Sequence, residues 1–160
     1  MAADSPYYPP LGFYYKVEFG SSGNSNDARF QSVSGLSVEY DYENFKEGGE
    51  NRFEHKLPVR TRYADMILKR GMVVDSAIID WFNNAFRDRQ FEPTDINVIL
   101  MNEKGEPLRT WKVAQAIPKK WSVSDLNSTE SAVVVETMEV TYRYFTVQWG
   151  RGLGCRLLDY

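Results

Sequence analysis

The sequence predicts a mainly β fold: an antiparallel β-sandwich or small barrel of roughly six or seven strands, flanked by one α-helix at about residues 75–89. Three observations predict it. Apolar and polar residues alternate in several short stretches, the period of a half-buried strand. One segment, residues 75–89, carries the i, i+3, i+4 spacing of a helix packed on one face. A polar, glycine-containing NEKGE lies between two strand-like stretches, as in an antiparallel hairpin, and no strand–helix alternation suggests a parallel sheet.

The N-terminal residues 1–12 contain two adjacent prolines, which forbid regular pairing, so they read as an extended arm. FYYKVEF (13–19) places Phe13, Tyr15, Val17 and Phe19 on one face of a strand. GSSGNSND (20–27) reads as a flexible loop. Residues 28–45 form a long strand with a fault in phase: Val33 is at an odd position, whereas Leu36, Val38, Tyr40 and Tyr42 are at even ones. A one-residue slip reverses every face, so a bulge or sharp bend is expected at Gly35. Beyond it Ser37, Glu39, Asp41 and Glu43 make an acidic outer face, and the polar stretch 46–56 projects as a loop.

Residues 57–70 read as the next strand, with Arg60 and Arg62 on one face and Val59, Thr61 and Tyr63 on the other. A Lys69-Arg70-Gly71 turn leads to the helix, which Asp75 is expected to cap. Ile78, Trp81, Phe82, Ala85 and Phe86 face inward, Asp80, Asn83, Asn84, Arg87 and Asp88 face outward, and Pro93 lies beyond the end. The hairpin spans 95–117, with Gly105 supplying a positive φ. Residues 116–131 are a mixed segment with a short strand around Trp121. Residues 132–147 read as one final strand, Ala132, Val134, Met138, Val140 and Tyr142 on one face and Thr137, Glu139 and Thr141 on the other. The whole is a single domain, 1–160, with the arm 1–12 and a glycine-rich tail 148–160.

Composition narrows the function. A length of 160 residues with 42% hydrophobic content suits one domain with a real core. A net charge of −3 excludes a general polyanion binder. The single cysteine, Cys155, permits no internal disulfide and fits a reducing compartment. No apolar run approaches membrane-span length, and the N-terminus lacks the parts of a signal peptide, so the expected site of synthesis is the cytoplasm. Ten Tyr, nine Phe and four Trp are more than a core of this size ordinarily shows; most belong to a β-rich core, and some are expected between subunits.

Chemistry is sparse. His55 is the only histidine, so a nucleophilic device requires it, yet it sits in a polar loop with Arg52, Glu54 and Lys56. Cys155 lies about a hundred residues away. No Cys–His cluster has metal-ligand spacing. Glu39, Asp41 and Glu43 offer carboxylates for a hard cation, but a solvated acidic face is the simpler account. RGLG (151–154) lacks the strand-to-helix context of a phosphate loop, and Arg60 with Arg62 is too small a basic patch for nucleic acid. The chain is therefore read as no enzyme, without metal or cofactor. The alternatives are a free-standing ligand-binding β-sandwich and an enzyme using His55 and Cys155.

The segments YPPLGFYYKVEF, FQSVSGLSVEYDYENFKEGG, LPVRTRYADMILKRG, DWFNNAF, NEKGEPLRTWKV and IPKKWSVSDLNSTESAVVVETMEV occur in an order that resembles tail tube proteins. These are the inner-tube subunits of contractile-tailed phages and extracellular contractile injection systems. The resemblance covers roughly residues 7–147. It implies two packed antiparallel sheets with one flanking helix, and hexameric rings stacked into a hollow tube within a contractile sheath. The implied partners are further copies of the chain, the baseplate hub or spike, the sheath, and protein cargo in the lumen (or DNA in a true phage), with no membrane insertion. The implied setting is assembly in a bacterial cytoplasm, in a phage-like particle that is released or membrane-anchored.

Within that frame, Phe45, Lys46, Glu47, Arg52, Phe53, Lys69 and Arg70 are expected at subunit interfaces, and Glu39, Asp41, Arg60 and Arg62 near the channel. The commonest tube subunits end their final strand on a His-Glu-Gly-like signature; here it reads VTYRYFTV and 13 residues follow. That departure, with the YYPP start and the EGGENRFEHKLPVRT loop, looks more like the paralogue that starts the tube on the baseplate hub.

Overall fold

The computed structural model describes residues 11–12, 14–20, 29–49, 52–73, 76–129 and 133–149. Their alternating stretches fold into nine strands and one helix. These are β1 (Tyr15–Phe19), β2 (Ser32–Ser34), β3 (Val38–Phe45), β4 (His55–Tyr63), β5 (Met66–Gly71), α1 (Ala77–Arg87), β6 (Thr94–Met101), β7 (Pro107–Val123), β8 (Val135–Thr141) and β9 (Tyr144–Trp149). Every pairing is antiparallel. Seven strands follow the order β1-β6-β7-β8-β5-β2, with β9 added against β7, while β3 and β4 pair with each other alone. The fold is mainly β with one helix, as the sequence indicates, but the sheets do not close into a barrel.

Strand β7 joins two sheets. Its first part pairs with β6 and β9, and its last part pairs with β8. The change falls near Gln115, a non-glycine residue at φ 50. Such a conformation costs about 1–2 kcal/mol, and the Gln115 N–H freed from the ladder donates to Asp95 Oδ1 at 2.9 Å. Val17 and Phe19 of β1, Ile96 and Val98 of β6 and Val113 of β7 meet Met66 and Leu68 of β5, Met138 and Val140 of β8, and Ile78 and Phe82 of α1 in one core cluster.

Three expected boundaries change. Residues 57–70 are two strands, β4 and β5, broken at Ala64 and Asp65, because β4 pairs with β3 whereas β5 pairs with β2 and β8. Residues 132–147 likewise divide into β8 and β9 at Tyr142 and Arg143. The short strand around Trp121 is the far part of β7. At the first two corners the apolar positions change phase, from Val59 and Tyr63 to Met66 and Leu68 and from Val140 and Tyr142 to Phe145 and Val147, a slip of the kind seen at Gly35. Gly35 does sit at the predicted break, with φ 89 between β2 and β3, and Gly105 turns the β6–β7 hairpin at φ 77.

The helix is shorter than 75–89, and Asp75 lies outside the described residues, as do most of the arm, Phe13, Ala132, Cys155 and the tail from 150 onward. Ser76 occupies the N-cap position without a side-chain capping bond. Ile78, Phe82 and Ala85 are buried, but Phe86 is 49% exposed, which corrects its inward assignment: it lies at the edge of the buried stripe. Trp81 packs edge-on against Phe19 at 6.1 Å and donates its indole N–H to the Glu92 carbonyl at 2.8 Å. Gly71 ends β5 in ordinary strand geometry rather than in a glycine-only turn, and a Cβ there meets Val133 Cγ1 at an unstrained 3.7 Å.

Candidate functional site

The two-stranded β3–β4 ribbon and the loop joining its strands contain most of the residues singled out in the sequence. Its register sets Glu39 opposite Arg62 and Asp41 opposite Arg60, so charges of both signs share one face. Arg62 reaches Asp41 diagonally at 4.0 Å. The other face carries Val38 opposite Tyr63 and Tyr40 opposite Thr61. A shift between Asp41 and Tyr42 leaves Val59 as the extra residue of a bulge. Pro58, which has no N–H to give a ladder, sits beside that bulge, a position where proline is tolerated in sheets.

Both faces of the ribbon are open. Val38, Tyr40, Tyr42, Phe45, Phe53, Leu57 and Val59 are all exposed large hydrophobics. Sequence alternation set Val38, Tyr40 and Tyr42 on the face opposite the acidic one; among the described residues no layer covers them. Solvated monomers seldom leave so many large apolar side chains exposed on one element. The sequence signal that marks this ribbon is its combination of alternating hydrophobics with charge on both strands and no second apolar partner segment nearby.

At the ribbon's end, Lys46 Nζ lies 3.1 Å from Glu54 Oε1 and His55 Nε2 3.6 Å from Glu47 Oε2, all substantially exposed. Phe53 packs edge-on to His55 with ring centroids 5.1 Å apart. Arg52 is also exposed. Thus Phe45, Lys46, Glu47, Arg52 and Phe53 gather at one end, while Glu39, Asp41, Arg60 and Arg62 gather on one face.

Lys69 and Arg70 lie elsewhere, on β5, and point oppositely: Lys69 is exposed, whereas Arg70 is 1% exposed. Arg70 faces into the fold, directly opposite Glu136 of β8, with Nε 3.3 Å from Oε2. Its Nη2 donates to Ser76 Oγ at 2.8 Å, drawing the helix start onto the sheet. The sequence expectation gave Arg70 an acidic partner in a neighbouring subunit; within the protomer the acid is Glu136. Alternation concealed this pair because Glu136 shares its face with Met138 and Val140.

No group of three or more His, Cys, Asp or Glu residues able to hold a metal occurs among the described residues. No helix among them is long and apolar enough to cross a membrane.

The T4-like virus tail tube protein gp19 family matches residues 11–146. The chain belongs to this tail tube family. Its members and structural neighbours are structural tube proteins, not enzymes. A chain of the anti-feeding prophage baseplate, solved with 6-fold symmetrisation, superposes with TM-score 0.81 at 27% identity, covering 88% of this tube protein and 95% of that chain. A chain of the extended sheath-tube complex of an extracellular contractile injection system (PVC) gives TM-score 0.77 at 26% identity, covering 90% and 94%. The tube-terminating cap of the anti-feeding prophage also gives 0.77 at 26%, covering 93% of this chain and 99% of that one. No curated protein sequence matches.

Proposed function

We propose that this tail tube protein forms hexameric rings that stack into the inner tube of a contractile injection system, and that it occupies the layer starting the tube on the baseplate hub. The observation that carries the stacking is the β3–β4 ribbon, whose two faces are both uncovered in the protomer. A ring subunit with an exposed ribbon has a heterologous surface to place against the next ring, the arrangement that generates tubes. The ribbon's end, from Phe45 to His55, makes the axial contact. Its face with Glu39, Asp41, Arg60 and Arg62 lines the channel, where mixed charges keep a wetted wall over which cargo slides.

The partners are neighbouring copies, the sheath outside, the hub below and cargo within, in a phage-like particle assembled in the bacterial cytoplasm. Supporting this reading, the similar solved chains come from a baseplate, a sheath-tube complex and a tube cap. The baseplate chain and the non-standard ending of the sequence favour the initiating layer. That ending is the β8–β9 corner and β9, where Trp149 stacks on the Arg109 guanidinium at 3.8 Å.

Electron microscopy of purified protein lacking residues 47–52 tests the reading. The expected product folds and closes into rings but neither stacks nor seats on the hub. Full-length tubes from the deletion variant overturn the axial role. A wild-type protein that stays monomeric by light scattering instead supports a free-standing binding module.

A further inference from the structure

We propose that Tyr142 is a positioning residue that fixes the angle at which the β3–β4 ribbon leaves the sheets, and thereby decides whether one ring seats on the next. This rests on the ribbon being the axial contact proposed above.

Among the described residues the ribbon's strands form ladder bonds only with each other, so its direction is set at its root. There the two legs are held differently. On the β3 leg, the Gly35 carbonyl accepts the Ser37 N–H at 2.9 Å and the Tyr142 hydroxyl at 3.0 Å. On the β4 leg, the Tyr63 ring packs against Tyr142 with centroids 5.9 Å apart and against Phe145 at 5.6 Å. Just beyond, Lys119 Nζ pairs with Asp65 and lies 3.1 Å from Glu139. The Ala64 N–H donates to the Ser37 carbonyl at 3.3 Å, joining leg to leg.

Of these groups Tyr142 touches both legs, one through its hydroxyl and the other through its ring. It stands at the β8–β9 corner, outside the ribbon, and therefore ties the ribbon's root to the body. The two legs also approach closely at the root: a Cβ added to Gly35 would lie 2.0 Å from the Asp65 carbonyl oxygen.

The lever is long. At ~3.3 Å per residue, the ribbon's end lies roughly 25 Å from its root, and a tilt of ~5° there shifts the end by ~2 Å. A shift of that size breaks the geometry of any hydrogen bond or ion pair the end makes. An isolated two-stranded ribbon has little stiffness of its own, which leaves the root as the element that defines its direction.

The test is Tyr142→Phe, which keeps the ring and removes the hydroxyl, with Tyr144→Phe at the same corner as control. Spin labels at Gly48→Cys and Asn83→Cys, in a Cys155→Ser background diluted with unlabelled protein, report the ribbon-to-helix distance by pulsed electron resonance. Expected for Tyr142→Phe are a near-native thermal melt, a broadened and shifted distance distribution, and rings that no longer stack, with Tyr144→Phe unchanged in all three. A distribution superposing on wild type overturns the proposal. So does a broadened distribution in a variant that still builds tubes of wild-type length. If Tyr142→Phe does not fold, Tyr63→Leu, which loosens the β4 leg alone, takes its place with the same outcomes. Full-length tubes from the 47–52 deletion defeat the axial reading separately, because the distance measurement needs no assembly.

Discussion

Deleting the Glu136 carboxylate removes the acid that neutralises a buried guanidinium, because Arg70 and Glu136 are 1% and 0% exposed. A buried ion pair of this kind is weak evidence for stability as a pair, yet breaking it from one side typically costs ~3–5 kcal/mol. Glu136→Ala is therefore expected to lose about that much in urea denaturation, and Arg70→Met with Glu136→Leu to recover most of it. A single variant within about 1 kcal/mol of wild type shows that the pair is not what holds the helix start against β5. Tyr142 gives a second residue-scale expectation. Burial above all, then the charges of Tyr63 and Asp65, push its phenol up to about 12. An unfolded tyrosine titrates near 10. The neutral phenol thus favours the native state, with its contribution whole below about pH 10 and lost as pH rises through about 12. Over that alkaline window the wild-type urea midpoint should fall relative to that of Tyr142→Phe, which starts near it. A difference that stays constant across it removes the phenol from the account.

The helix is held by three buried residues, Ile78, Phe82 and Ala85, over the core between the sheets. Phe82 is 1% exposed and is packed edge-on by Trp81 at 5.3 Å. Phe82→Ala should cost ~3–5 kcal/mol, the range for truncating a fully buried phenylalanine. Phe86→Ala, at the half-exposed edge, should cost far less. Equal thermal melts for Phe82→Ala and wild type overturn the docking described here. The ribbon is the opposite kind of element. It contributes little to the protomer's core, and its tyrosines and phenylalanines at 40, 42, 45 and 53 are exposed.

For the molecule as a whole, the division of labour is spatial. The seven-strand system and α1 bury the core, and among the described residues no layer covers the ribbon. Assembly and folding are thus separable: a shortened ribbon should leave a folded ring, whereas a broken core leaves nothing to assemble. This separation makes the 47–52 deletion informative, because a loss of stacking in a protein of unchanged stability has one physical cause.

The sequence by itself determined the class, the helix, the Gly35 break and the hairpin at Gly105. Each is written in local terms: the periods 2 and 3.6, or a position that needs positive φ. It also marked the ribbon's charged residues and the aromatic end. It did not determine which partners the strands take. The apolar positions do change phase at Ala64–Asp65 and Tyr142–Arg143, but which strand each half joins is decided only by pairing across the sheets. Nor did it show that Arg70 points inward, since a buried charge becomes tolerable only when a residue 66 positions away, Glu136, arrives opposite it. The same holds for Val38, Tyr40 and Tyr42. Alternation marks a face as apolar, but whether that face meets a core or open solvent depends on what the rest of the chain packs above it.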